Sequence, residues 1–76
     1  MLTEPAAFLG IEITVNGTAR QIGAGATVAS LIESLGLDRR KLAVERNREI
    51  VPRSRYEAVA LTDQDQIEIV HFIGGG

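Results

Sequence analysis

The sequence predicts a small α+β domain in which one main helix packs on one face of a mixed β-sheet. Three observations support this prediction. The chain has 76 residues, which is enough for one hydrophobic core. Segments of alternating apolar and polar residues lie on both sides of an amphipathic helix. With two Phe, one Tyr and no Trp, the core is expected to be mainly aliphatic.

A β-hairpin is predicted near the start of the chain. Residues 11–15 alternate between apolar and polar side chains, as a half-buried strand does. The Asn16–Gly17 dipeptide suits the two positive φ angles of a type I′ turn, and residues 18–22 then return as the second strand. The residues of the hairpin predicted to face the core are Ile11, Ile13, Val15 and Ile22. Residues 1–10 lack a regular period and are predicted to be a flexible extension.

A helix is predicted from Thr27 to about Leu35. Thr27 is a good N-cap, since its hydroxyl can accept a backbone N–H of the first turn. Gly36 suits the left-handed residue that ends a helix. The glycine-rich loop before Thr27 lacks both common phosphate-binding patterns, so no nucleotide site is expected there. The apolar stripe of the helix, spaced i, i+3, i+4 and i+7, consists of Val28, Leu31, Ile32 and Leu35.

Three more strands are predicted in the second half of the chain. Residues 42–46 form the first, and a tight turn leads to a short edge strand at residues 49–51, which Pro52 ends. Residues 66–72 form the last strand. Its side chains alternate, with Ile67, Ile69 and His71 on one face and Glu68, Val70 and Phe72 on the other. Short helical turns are predicted at residues 38–41 and 54–57. This order of elements is the β-grasp arrangement.

The composition excludes several classes of site. The chain has no cysteine, which excludes disulfides, thiolate metal sites and a Cys nucleophile. His71 is the single histidine. Asp63 and Asp65 lack the spacing of a calcium-binding loop and are predicted to lie in a turn at residues 62–65. A net charge of −2 argues against binding nucleic acid, and no segment approaches the roughly 20 apolar residues of a membrane helix. The absence of cysteine and of a secretory signal predicts a cytoplasmic location.

The charges are unevenly distributed along the chain. Arginine and lysine are concentrated in residues 39–55, and acidic residues predominate before and after this basic segment. Two interpretations remain open. The basic segment either forms self-neutralising contacts within the chain or faces an acidic partner.

The chain ends in three glycines, Gly74, Gly75 and Gly76. Because glycine loses the most backbone entropy on ordering, residues 74–76 are predicted to form a mobile tail after a folded domain at residues 11–73. One interpretation is a frayed end or a linker. The other is chemical, since a tail without Cβ atoms can enter a narrow channel and present its carboxylate for activation. An acyl-adenylate attacked by sulfur yields a thiocarboxylate, so a chain without cysteine can carry sulfur.

Several motifs occur in a characteristic order: Val15-Asn16-Gly17, the helix Thr27-Val28 through Leu31-Ile32 to Leu35, Glu45-Arg46-Asn47, Ile50-Val51-Pro52-Arg53, Asp63 with Asp65, and the ending Val70-His71-Phe72-Ile73-Gly74-Gly75-Gly76. With them, residues 11–76 resemble the bacterial sulfur carrier proteins of thiamine biosynthesis, the ThiS type, which share the ubiquitin-like β-grasp fold. Residues 1–10 precede the start that is usual in that family.

The resemblance implies that an ATP-dependent adenylyltransferase, similar to ubiquitin-activating enzymes, adenylates Gly76. A cysteine desulfurase route then supplies sulfur for a thiocarboxylate, and thiazole synthase uses this sulfur to build the thiazole ring. The chain itself is a carrier and not an enzyme. It binds no cofactor or metal, because ATP, Mg²⁺ and zinc belong to the activating partner. The residues through which partner enzymes would recognise the tail are Phe72, Ile73, Gly74 and Gly75.

Three alternatives remain open. The first is another carrier with the same chemistry, such as the small subunit of molybdopterin synthase. The second is a protein modifier, which the presence of only one lysine, Lys41, makes less suited to chain formation. The third is a β-grasp interaction module whose tail has no chemical role. For Phe72 and Ile73, a place in the core and a role in gripping the tail are equally open.

Overall fold

The computed structural model describes residues 10–72. The flexible extension predicted at residues 1–10 lies outside the described residues except for Gly10, which is part of a strand and not of an extension. Ile73 and the mobile tail predicted at residues 74–76 also lie outside the described residues. The strands are numbered β1 to β5 along the chain, and the α-helix is α1.

The predicted β-hairpin is present. β1 (Gly10–Val15) pairs antiparallel with β2 (Thr18–Gly23) in continuous register. Asn16 and Gly17 join them with φ angles of 50° and 83°, as a type I′ turn requires. β1 begins at Gly10, one residue earlier than the alternation predicts, because Gly10 pairs with the last residue of β2.

Helix α1 (Val28–Ser34) has the predicted ends. Thr27 and Ser30 form a reciprocal capping box, in which Thr27 Oγ1 accepts from Ser30 N at 3.1 Å and Ser30 Oγ accepts from Thr27 N at 2.7 Å. This arrangement satisfies two backbone donors that a helix start leaves without partners. The helix ends at the cap residue Leu35, followed by Gly36 with a φ of 71°.

A second hairpin follows the helix. β3 (Leu42–Arg46) pairs antiparallel with β4 (Glu49–Val51) through a turn at Asn47 and Arg48, whose φ angles are 51° and 70°. β4 lies at the edge of the sheet, as predicted from Pro52. Two short 3₁₀-helices, close to the predicted helical turns, span Arg39–Lys41 and Arg53–Arg55.

The last strand, β5 (Gln66–His71), lies in the centre of the sheet. The strand order is β2-β1-β5-β3-β4. β5 is parallel to β1 and antiparallel to β3, so it connects the two hairpins. The result is the predicted α+β fold, a mixed five-stranded sheet with α1 against one face.

The core lies between α1 and this face of the sheet. Its buried residues are Ile13, Val28, Ala29, Leu31, Ile32, Leu42, Val44, Val51, Tyr56, Leu61, Ile67 and Ile69. The core is mainly aliphatic, as predicted. Ile11, Val15 and Ile22, also predicted to face the core, are half-buried and pack against its margin.

Tyr56 is the exception to the aliphatic core. Its side chain is only 2% exposed, although the sequence pattern does not predict its burial. Its backbone oxygen accepts a hydrogen bond from Ala29 N at 2.8 Å, which ties the segment after the second 3₁₀-helix to α1. The guanidinium of Arg39 lies 6.0 Å from the centroid of the ring, at the outer limit of a cation–π contact.

Candidate functional site

The candidate site begins at the carboxyl end of β5. Of the predicted site residues, Phe72 is described, whereas Ile73, Gly74, Gly75 and Gly76 lie outside the described residues. Phe72 is 55% exposed, so it belongs to the surface and not to the core. The structure therefore describes the base from which residues 73–76 continue.

On its β1 side, β5 is held by Asn16. The backbone N–H of Asn16 donates to Ile67 O at 2.8 Å. The side-chain amide of Asn16 then pairs with Ile69, accepting from Ile69 N at 2.7 Å and donating to Ile69 O at 3.1 Å. Because β1 turns away at this point, the side chain takes the place of a further strand residue and extends the ladder along β5.

On its β3 side, β5 is paired as far as its last residue. Leu42 lies opposite His71 in the register. Beyond the strand, Phe72 N donates to Lys41 O at 2.9 Å. The ladder therefore continues to Phe72, and the backbone is fixed up to the residue before Ile73. His71 lies on the same face of β5 as Ile67 and Ile69, as predicted, and it is exposed at the end of the strand.

Asp65, which is only 4% exposed, anchors the start of β5. Its Oδ2 accepts from Thr62 N and Arg46 Nε, both at 2.8 Å. Its Oδ1 accepts from Thr62 Oγ1 and Asn47 Nδ2, both at 3.0 Å. The carboxylate thus joins the β3–β4 turn to the loop before β5.

The hydrogen bonds of Asp65 lower the pKa of its carboxyl by more than burial raises it. Burial by itself raises the pKa of this carboxyl, but the bonds from Thr62, Asn47 and Arg46 stabilise the ionised form and lower the pKa overall. The sequence predicts a turn here, which is confirmed, but it does not predict a buried anchor. The one local signal is the Thr62-x-x-Asp65 spacing, which resembles a capping box.

The face of the sheet opposite α1 is open over β3, β4 and β5. We define the open face by Ala43, Glu45, Ile50, Glu68, Val70 and Phe72. The exposed fractions of its larger apolar residues are 66% for Ile50, 56% for Val70 and 55% for Phe72. Large apolar side chains grouped on a small domain's surface are typical of a protein-binding site.

The basic segment at residues 39–55 is partly neutralised within the chain. Three ion pairs involve it, Arg39–Glu57 and Arg40–Asp38 at 2.9 Å and Arg46–Asp65 at 2.8 Å. The hydrogen bonds from Arg40 hold the pKa of Asp38 at about 2. For these three arginines, the structure supports self-neutralising contacts over a free basic patch.

Two further observations concern the described residues alone. Within residues 10–72, no group of three or more His, Asp or Glu side chains has an arrangement that could hold a metal ion. The helical segments in the same range are all too short and polar to cross a membrane.

Comparison with known proteins connects this fold to one family. The model of the ThiS family matches residues 13–76. The sulfur carrier protein ThiS of Bacillus subtilis is 50% identical over 50 residues, which cover 66% of this chain and 76% of that protein. The crystal structure of the thiamine biosynthesis protein ThiS from Geobacter metallireducens has a TM-score of 0.75 at 29% identity, and the match covers 87% of this chain and all of that one.

A longer relative has a different name. The thiazole synthase of Paramagnetospirillum magneticum is 53% identical over 66 residues, which cover 87% of this chain. The same residues are 20% of that protein, so the chain spans about a fifth of its length.

Proposed function

The chain belongs to the ThiS family, and we propose that it is a sulfur carrier protein of thiamine biosynthesis that carries sulfur on Gly76. The observation that supports this function is the place of β5. The strand that leads toward Gly76 is the central strand of the sheet, bonded to a neighbour on each side. A reactive group that leaves from a rigid element starts from a defined position, which favours its delivery into a partner enzyme.

The first step is activation of the terminal carboxylate. A carboxylate oxygen of Gly76 attacks the α-phosphorus of ATP, and pyrophosphate leaves. The acyl-adenylate that forms is a good acyl donor because AMP is a good leaving group. ATP and Mg²⁺ are bound by a partner adenylyltransferase of the ubiquitin-activating type, and this chain contributes the acyl group.

The second step replaces oxygen by sulfur. Sulfur from a cysteine desulfurase route attacks the acyl carbon, so that a C–S bond forms and the C–O bond to AMP breaks. Where the donor is a persulfide, a thiol must then reduce the resulting S–S bond to leave the thiocarboxylate. This chain has no cysteine, so that thiol comes from another molecule.

The acceptor of the sulfur is thiazole synthase. In the thiazole synthase relative, a segment similar to this chain is part of the same polypeptide as the rest of the protein. That arrangement supports direct contact between the carrier and the synthase. The chain is therefore a protein co-substrate and not an enzyme, and its lack of cysteine supports a cytoplasmic location.

The activation step is tested with Gly75→Val. A β-branched side chain next to the reacting residue adds bulk and restricts the backbone. Misplacing the carboxylate by about 1 Å costs on the order of 100-fold in rate. We expect a folded protein by circular dichroism that has lost pyrophosphate exchange with its cognate adenylyltransferase, and an intermediate rate for Gly75→Ala. Wild-type exchange by folded Gly75→Val would contradict the channel mechanism.

The carrier role is tested separately by intact mass. After expression in a bacterium limited for thiamine, a fraction of the protein should be heavier by the exchange of one oxygen for sulfur at the C-terminus. Protein without Gly76 is the control and should not gain this mass. If the full-length chain never shows the heavier form, the interaction-module alternative is favoured.

A further inference from the structure

Two carboxylates face each other on the open face. In the register of β3 and β5, Glu45 lies directly opposite Glu68. Directly opposite residues share one face of a sheet, with Cβ atoms about 5 Å apart. The neighbours Val44 and Ile69 are buried against α1, so the two carboxylates point to the side away from the helix.

This pair is unfavourable for the isolated domain. Like charges directly opposite on adjacent strands destabilise a sheet. Neither Glu45 nor Glu68 forms an ion pair with another residue of the described range, 10–72. Among residues 10–72, no ion pair offsets this repulsion, and a cation placed between the carboxylates would relieve it.

Apolar side chains surround the acidic pair. Ile50 lies opposite Glu45 on its other side, across β3 and β4. Val70 lies opposite Ala43, two residues beyond Glu68 on the same face. Phe72 follows Val70 at the point where the chain leaves the sheet. A surface that is complementary to this arrangement is apolar, with one basic group aimed at the acidic pair.

We propose that the open face docks on thiazole synthase through an arginine or lysine of the synthase that lies between Glu45 and Glu68, within an apolar contact. The proposal rests on the proposed function. An enzyme that takes up the chain beyond Phe72 must come close to this face, because Phe72 is both part of the face and the base of the tail.

The same charges argue against other occupants. A second copy of this chain would bring another Glu45–Glu68 pair against the first if the two open faces met. Nucleic acid would bring phosphates against the same two carboxylates. A partner with a basic group in a largely apolar surface satisfies both parts of the open face.

The proposal makes a distinctive prediction, because stability and binding should change in opposite directions. Glu68→Gln removes the repulsion in the free domain, so the midpoint of thermal unfolding should rise by about 1–4 °C. The same change removes a partner of the basic group, so the Kd for the cognate thiazole synthase should rise by at least about tenfold. Glu68→Lys should increase both effects.

The matched control is Glu33→Gln. Glu33 is an exposed residue of α1, on the opposite side of the sheet from the open face. The change alters the net charge equally, but it should leave the Kd for the synthase unchanged. Salt should also raise the Kd of the wild-type chain more steeply than the Kd of Glu68→Gln. In the variant, the basic group of the synthase faces one carboxylate instead of two.

Isothermal titration calorimetry with purified thiazole synthase gives the Kd, and pyrophosphate exchange with the adenylyltransferase reports on the proposed function. If wild-type protein is adenylated and binds the synthase, but Glu68→Lys binds equally well, the docking proposal is wrong and the proposed function stands. If wild-type protein is neither adenylated nor bound, both are wrong. Weaker binding by Glu68→Gln together with a higher unfolding temperature supports the docking proposal.

Discussion

Replacement of Asp65 by Asn tests whether one buried carboxylate holds the start of β5. The carboxylate accepts four hydrogen bonds, two on each oxygen. Asparagine keeps one accepting oxygen, but its NH₂ group faces two donors. A hydrogen bond to a charged group contributes about 1.5–3 kcal/mol. Loss of one partner of a buried pair costs about 3–5 kcal/mol.

The cost should be smaller than the full sum of these contributions. The Arg46 side chain is 30% exposed, so water can solvate it when its partner is lost. We therefore expect Asp65→Asn to lower the free energy of unfolding by about 2–4 kcal/mol. Urea denaturation followed by circular dichroism measures this change near neutral pH. Asp63→Asn is the control, because Asp63 is exposed and accepts one backbone bond, from Glu12 N at 2.8 Å.

The pH dependence gives a second measurement of the same interaction. The pKa of Asp65 is lowered in the folded protein from its ordinary value of 3.8. Its contribution to stability is therefore fully present above 3.8 and is lost as the pH falls through the lowered pKa, because the unfolded chain takes up the proton first. The stability difference between wild type and Asp65→Asn should narrow below this value. Equal stabilities near neutral pH, or a difference that does not narrow in acid, would refute the reasoning.

Three other predictions concern the core and the strand that leads to the tail. Removal of residues 74–76 should leave the thermal midpoint unchanged by circular dichroism, because Ile69 is the last buried residue within the described range, 10–72. A large drop would show that the tail packs. Ile13→Ala and Leu31→Ala should each lower the unfolding free energy by about 2–4 kcal/mol in urea titrations, because each leaves a cavity. If a variant is as stable as the wild type, the assignment of that residue to the core is wrong. Asn16→Ala leaves two backbone groups of Ile69 unpaired and should cost about 1–3 kcal/mol. Hydrogen exchange of the Ile69 amide should be faster in this variant than in the wild type. An unchanged exchange rate would contradict the contact with Asn16.

The local elements were predictable because nearby residues determine them. The Asn16–Gly17 turn, the Thr27 cap and the end of α1 at Gly36 each depend on one or two residues with strong conformational preferences. The alternation in the last strand correctly placed Glu68, Val70 and Phe72 on one face. Neighbouring residues along the chain therefore predicted both the elements and the side of β5 that faces away from the core.

The remaining features depend on contacts between distant segments. The burial of Tyr56 was missed because it lies in an irregular segment, where no periodicity separates buried from exposed positions. The role of Asp65 requires the β3–β4 turn to lie beside the loop before β5. The juxtaposition of Glu45 and Glu68 follows from the pairing register of two strands that are some 20 residues apart in sequence. Gly76 was identified from resemblance and chemistry, and it lies outside the described residues.

The central position of β5 also affects when the domain can fold during synthesis. The two hairpins, β1–β2 and β3–β4, are joined in the sheet only through β5, the strand made last among the described residues. A nascent chain that ends before Gln66 therefore consists of two hairpins and a helix without the strand between them, and each hairpin alone is at best marginally stable. Folding must wait until the ribosome has added β5. As a result, a folded copy has already been translated to within a few residues of Gly76, and products truncated before β5 remain unfolded and open to proteases.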